Sequence, residues 1–128
     1  MTIKDLINEA KQIAAYRDTG DGFISGEVGS VILTKNGKIF KGVSIDCPCG
    51  IGFCGEHSAV AAMLTDRESE IDLIVAVDNE GKILPPCGRC RELMYQVNKK
   101  NLDTAIILSE NKTMKLSELL PIRWQEEY

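Results

Sequence analysis

The chain has 128 residues, 44% hydrophobic and 27% charged, which suits one compact domain over residues 1–128 and excludes disorder and collagen-like structure. Lys plus Arg number 15 against 19 Asp plus Glu, and a net charge of −4 lacks the basic surface on which nucleic-acid binding draws. No apolar run nears the ~20 residues of a membrane-spanning helix, and Lys4, Asp5 and Glu9 leave no room for a signal-peptide core, so a cytoplasmic protein is expected.

Ile3, Leu6, Ile7, Ala10, Ile13 and Ala14 recur with a period of about 3.6 and predict a helix over residues 2–17, with Thr2 and Asp5 placed as a capping box. Gly20, Asp21 and Gly22 break it. Val28, Val31 and Leu33 mark a strand, and Asn36-Gly37 is a strong hairpin turn because both residues tolerate positive φ. The return strand is expected over 38–46. A loop rich in Pro48, Gly50 and Gly52 follows, and a helical pattern spans 55–67 with Val60, Met63 and Leu64 on one side. Residues 71–77 are almost continuously apolar, as in a strand covered on both faces. Pro85-Pro86 leads into a helix over 87–99. A buried strand at 105–108 and an edge strand at 113–116 come next, and Ser117 is placed to cap a last helical turn before Pro121. Strand, helix, strand between 71 and 109 implies a parallel crossover. The expected fold is α/β: a three-layer α-β-α sandwich with a mixed, about five-stranded sheet.

Five cysteines are an odd count, and in a reducing compartment their spacing points to metal rather than disulfides. Cys87 and Cys90 are three residues apart at a helix start, so their sulfurs share one face. Cys54 opens the other helix. Helix starts carry partial positive charge, which favours thiolates. Two such starts facing each other would hold one Zn²⁺ through three sulfurs. Three thiolates weaken the metal as a Lewis acid, so nearby donors must draw charge off the sulfurs; His57, Arg89 and Arg91 are candidates. Glu56, two residues from Cys54, can reach a water activated by the metal without binding the metal itself, and suits general acid/base work. The competing reading is a closed structural site, with Cys47, Cys49 or His57 as fourth ligand.

Cys54-Gly55-Glu56 with Pro86-Cys87-Gly88-Arg89-Cys90 resembles the zinc-dependent cytidine deaminases in their three-cysteine form. Within that family, residues 83–93 and the Leu119-Leu120-Pro121 run followed by Trp124 are similar to the blasticidin-S deaminases. The resemblance implies a zinc-dependent hydrolytic deaminase that converts the cytosine ring of a free nucleoside, or of an analogue such as blasticidin S, to uracil with release of ammonia. It assigns the metal to Cys54, Cys87 and Cys90 and the proton transfers to Glu56, and it implies a homotetramer. The family's sugar-holding Asn-x-Glu corresponds here to Ser44 and Asp46, both shorter. Aromatic residues are few, which makes Phe53 and Trp124 candidate walls for a flat pyrimidine.

Overall fold

A computed structural model describes residues 1–128. Thr2 starts α1 (Ile3–Ile13): its hydroxyl accepts from the Asp5 N–H at 3.1 Å while the Asp5 carboxylate accepts from the Thr2 N–H at 2.9 Å. This is the expected capping box. The helix stops short of residue 17. Ala14 ends the apolar stripe, Tyr16 and Arg17 are exposed, and nothing remains for a further turn to bury. Residues Arg17–Gly20 instead form a short strand, β1, which turns back through Asp21 and Gly22 into β2 (Phe23–Thr34).

β2 organises the sheet. One of its edges pairs antiparallel with β3 (Ile39–Asp46). The other edge carries β1 beside Phe23 to Ser25 and then β4 (Ile71–Asp78) beside Val28 to Thr34, both antiparallel. β4 pairs in parallel with β5 (Ala105–Ser109), and β5 pairs antiparallel with β6 (Lys112–Lys115). The sheet is therefore mixed and has six strands. The strand beyond the expected five is β1, because the glycine-rich break at 20–22 is a hairpin turn rather than a helix stop.

Both faces are covered. α1 packs Leu6, Ile7, Ala10 and Ala14 onto Val31, Val75, Val77 and Ile107. On the opposite face α2 (Gly55–Thr65), α3 (Gly88–Val97) and the short α4 (Leu116–Leu119) lay Ala59, Val60, Met63, Met94, Tyr95 and Leu116 on Ile32, Ile71, Ile74 and Ile106. Consecutive residues such as Val31 and Ile32, or Ile106 and Ile107, serve opposite cores, which is the period-two alternation of a strand. That alternation explains why the central strands read as unbroken apolar runs. The result is the three-layer α-β-α sandwich.

α2 lies so close to β3 that a Cβ on Gly42 would run into the backbone of Ser58 and Ala59. Gly42→Ala should push α2 off the sheet and destabilise the protein by about 1–3 kcal/mol, the usual range for overpacking. Denaturant unfolding measures this, and an unchanged midpoint would show that the helix is not so tightly seated.

Candidate zinc centre and its cavity

Two local devices bring the cysteines together. Ile45 and Phe53 exchange backbone hydrogen bonds of 3.0 and 2.9 Å across the 46–52 loop, so the chain leaves the end of β3 and presents Cys54 as the residue preceding α2. Pro85 and Pro86 disfavour helix before Cys87, which precedes α3 with extended backbone. Arg91 fastens that start: its Nε donates to the Pro86 carbonyl at 2.9 Å and its guanidinium also donates to the Leu119 carbonyl at 3.1 Å. Arg91 thus braces α3 against the C-terminal turn, while Arg89 lines the cavity.

The sulfurs of Cys54 and Cys87 are 3.5 Å apart, those of Cys87 and Cys90 3.4 Å, and His57 Nδ1 is 3.4 Å from the Cys90 sulfur. Tetrahedral zinc with ~2.3 Å bonds to sulfur needs ligand separations of about 3.8 Å, so the three sulfurs need only small adjustments to share an ion. Cys54, His57 and Cys90 also form a compact set, all within 4.8 Å of one another. Four soft or borderline donors therefore converge, and the donor chemistry fits zinc.

Burial pushes the thiols of Cys54 and Cys90 upward, with the neighbouring Glu56 carboxylate adding to both. Cys87 goes the other way: burial raises it, but the N–H groups of Cys90 and Arg89 and the adjacent thiols outweigh that effect and hold it low. Burial also lowers His57, helped by the positive charge of Arg89, so the imidazole is neutral. Glu56 is only 5% exposed, and burial raises its carboxyl. The group sits over an apolar floor that includes Ile74, Ala76, Leu84 and Pro86.

A cavity of about 470 Å³ opens onto this cluster. Its lining includes Cys54, Glu56 and Cys87 together with Ser44, Asp46 and Phe53. Phe53 also lies 6.4 Å from the His57 ring, at an interplanar angle of 23°. Cys90 is fully buried behind the lining. Trp124 is not part of the lining: it is 79% exposed, in a tail held by the Arg123–Glu126 ion pair and the Tyr95–Glu126 hydrogen bond rather than by its indole. Cys47 lines the cavity, Cys49 is exposed, and neither joins the sulfur cluster. Sequence reasoning passed over Glu27 and Leu84, which also line the cavity. The signal for Glu27 was Gly26, since a glycine inside a strand often marks a bulge.

The sequence model of the cytidine and deoxycytidylate deaminase zinc-binding region matches residues 2–106. The chain belongs to this deaminase family. The blasticidin-S deaminase of Bacillus cereus is 30% identical over 109 residues, covering 76% of each chain. The cytidine deaminase of Halalkalibacterium halodurans is 28% identical over 100 residues, covering 74% of each. The crystal structure of cytidine deaminase from Mycobacterium tuberculosis superposes with a TM-score of 0.79 at 25% identity, covering 96% of this chain and 97% of that one. The protein is a zinc-dependent deaminase acting on the cytosine ring, and zinc is its cofactor.

Because the Cys54 and Cys90 thiols are raised, the metal-free deaminase carries both protonated at neutral pH, and zinc must displace those protons. Zinc affinity should therefore climb as pH rises, with at least two protons released per ion. Calorimetry in buffers of different ionisation heat counts them; pH-independent binding would contradict these thiol states.

Proposed function

We propose that Cys54, Cys87 and Cys90 hold the zinc, that Glu56 is the catalytic acid/base, and that the substrate is a free cytosine nucleoside. The observation carrying this reading is the buried Glu56 carboxyl opening into the same cavity as the Cys54 and Cys87 sulfurs. His57 is absent from the cavity lining and its Nδ1 faces Cys90, which suits an N–H donor that draws charge from that sulfur. Three ligands on one side would leave the cavity side for substrate and water.

When bound, zinc supplies Lewis-acid activation of a water. The carboxylate of Glu56 takes one proton from the attacking water and delivers it to the ring nitrogen, then takes the second from the hydroxyl left on the attacked carbon and delivers it to the amine, which departs as ammonia. Its raised pKa suits a group that must both take and give at neutral pH. The backbone N–H of Cys87, next to the unpaired amides at the start of α3, would stabilise the attacking oxygen as it gains charge. Phe53 walls the pyrimidine, and Ser44 and Asp46 lie on the sugar side. The base enters first, since Glu56 is buried whereas Asp46 is exposed at the rim.

A second reading, deamination of a blasticidin-type analogue, is favoured by the Bacillus cereus relative and by the Pro86 to Arg91 run. The enzyme works as one domain over residues 1–128. Nucleic acid is not the substrate, because Glu27 and Asp46 on the wall and the net charge of −4 repel a phosphate backbone. The five cysteines are unpaired, consistent with the cytoplasm, and no helix is long and apolar enough to cross a membrane.

We also propose a homotetramer. Ile51, between the cavity-lining Gly50 and Gly52, is 72% exposed, and Ile122 and Trp124 are similarly bare. Such residues suit cover by neighbouring chains. Sedimentation should show a tetramer, and an active monomer would refute the assembly.

Ammonia release from cytidine, cytosine and blasticidin S tests the substrate. Glu56→Gln should lower turnover by about 10²–10⁴-fold or more. Zinc content should not change. A raised folded-state pKa means the carboxyl contributes stability at low pH that is lost as pH rises through that value. The variant should therefore be at least as stable as the parent at neutral pH. Parental activity in Glu56→Gln would remove Glu56 from the mechanism.

A further inference from the structure

The pairing of β2 with β3 is interrupted beside the cavity. Ser25 opposes Ile45 and Gly29 opposes Val43, which leaves Gly26, Glu27 and Val28 opposite Ser44 alone. Such a bulge re-aims side chains and is common beside active sites. Here it is held from three directions. Gly26 has φ +84°, and any Cβ there would collide with the Ala15 carbonyl at the end of α1. The Val28 N–H, freed from regular pairing, donates to the Ser44 hydroxyl at 3.0 Å. The Val28 carbonyl lies against Gly55, in the first turn of α2, where a Cβ would come within 3.1 Å of it. The outcome is that Glu27 joins the cavity lining.

Glu27 has no ion pair or side-chain hydrogen bond within the chain: the salt bridges lie elsewhere, and its neighbours' bonds do not involve it. A half-buried carboxylate without a partner, on a rigidly held bulge, is available to a ligand. Four charged side chains line the cavity: Glu27, Asp46, Glu56 and Arg89. Arg89 sits in the first turn of α3 between Cys87 and Cys90, which places that cation at the metal end. Glu56 is buried, Glu27 half-buried and Asp46 exposed, an order of depth that puts Glu27 between the base end of the cavity and its rim.

We infer that Glu27 is a substrate-binding residue which reads the group attached to the cytosine, favouring a cationic amine there, accepting a hydroxyl, and rejecting a phosphate. Ser44 is then a positioning residue as well as part of the wall, since its hydroxyl oxygen is committed to the bulge. The inference rests on the nucleoside reading proposed above and adds the charge class of the substrate.

Binding of three product-side compounds, which cannot be turned over, tests it: uridine, an aminodeoxyuridine with one sugar hydroxyl replaced by an amine, and uridine monophosphate. Each is titrated calorimetrically into the zinc-loaded parent and into Glu27→Gln. The parent should bind the amine tightest and the phosphate weakest. Glu27→Gln keeps the size of the side chain and removes its charge. It should shrink the ratio of phosphate Kd to amine Kd by at least about tenfold, the scale of a hydrogen bond to a charged partner. Its melting temperature should match the parent's, since no internal contact is lost. An unchanged ratio, with the parent still binding uridine, overturns the role of Glu27 while leaving the nucleoside reading intact. A parent that binds none of the three overturns both.

Discussion

The structure depends on an electrostatic constraint: three sulfurs and a buried carboxyl are gathered where two helices begin. Burial raises the thiols of Cys54 and Cys90 and the carboxyl of Glu56, and the neighbouring Glu56 carboxylate adds to the effect on both thiols. The N–H groups at the start of α3 offset burial at Cys87, and a bound zinc would favour the thiolate form of its ligands. The arrangement is therefore held for function rather than for stability. A carboxyl buried at 5% exposure without a charged partner is unfavourable for folding and useful for moving protons.

The remainder of the fold fixes that gathering point. β2 and β4 lie side by side, and their alternating residues seat α1 on one face and α2 with α3 on the other. Gly42 lets α2 settle close to β3, which sets the depth of Cys54 and Glu56. Asn101 sets the start of β4: its side chain accepts from the Ile71 N–H and donates to the carbonyls of Met94 and Ser69, tying β4 to α3. With Arg91 joining the start of α3 to the C-terminal turn and the Ile45–Phe53 backbone pair preceding α2, the starts of both cysteine-bearing helices are fixed by hydrogen bonds. A rigid outer frame of this kind is what a metal centre needs to keep its geometry.

Most of the fold, and the cysteine motifs of a zinc-binding deaminase, were legible in the sequence because they rest on short-range signals. Helix periodicity, the Asn36-Gly37 turn, the apolar runs of β4 and β5 and the spacing of Cys54, Cys87 and Cys90 are all local. What escaped depends on partners distant in the chain. β1 exists only because β2 offers it an edge, and its exposed residues carry no hydrophobic pattern of their own. Glu27 reaches the cavity only because the bulge opposite Ser44 turns it there. Trp124 was expected as a pocket wall by its rarity, but its place is decided by the polar anchoring of Arg123 and Glu126 around it. For His57, spacing suggested a neighbour of the metal, and only the fold shows that the ring faces Cys90.

The central proposal is that three thiolates from two helix starts hold zinc while His57 stays outside the coordination sphere. X-ray absorption at the zinc edge of the loaded protein reads this directly. Three sulfur scatterers near 2.3 Å with one light-atom neighbour, and no imidazole multiple-scattering pattern, is the predicted result. Two sulfurs with an imidazole pattern, or three sulfurs with one, would contradict it by making His57 a ligand.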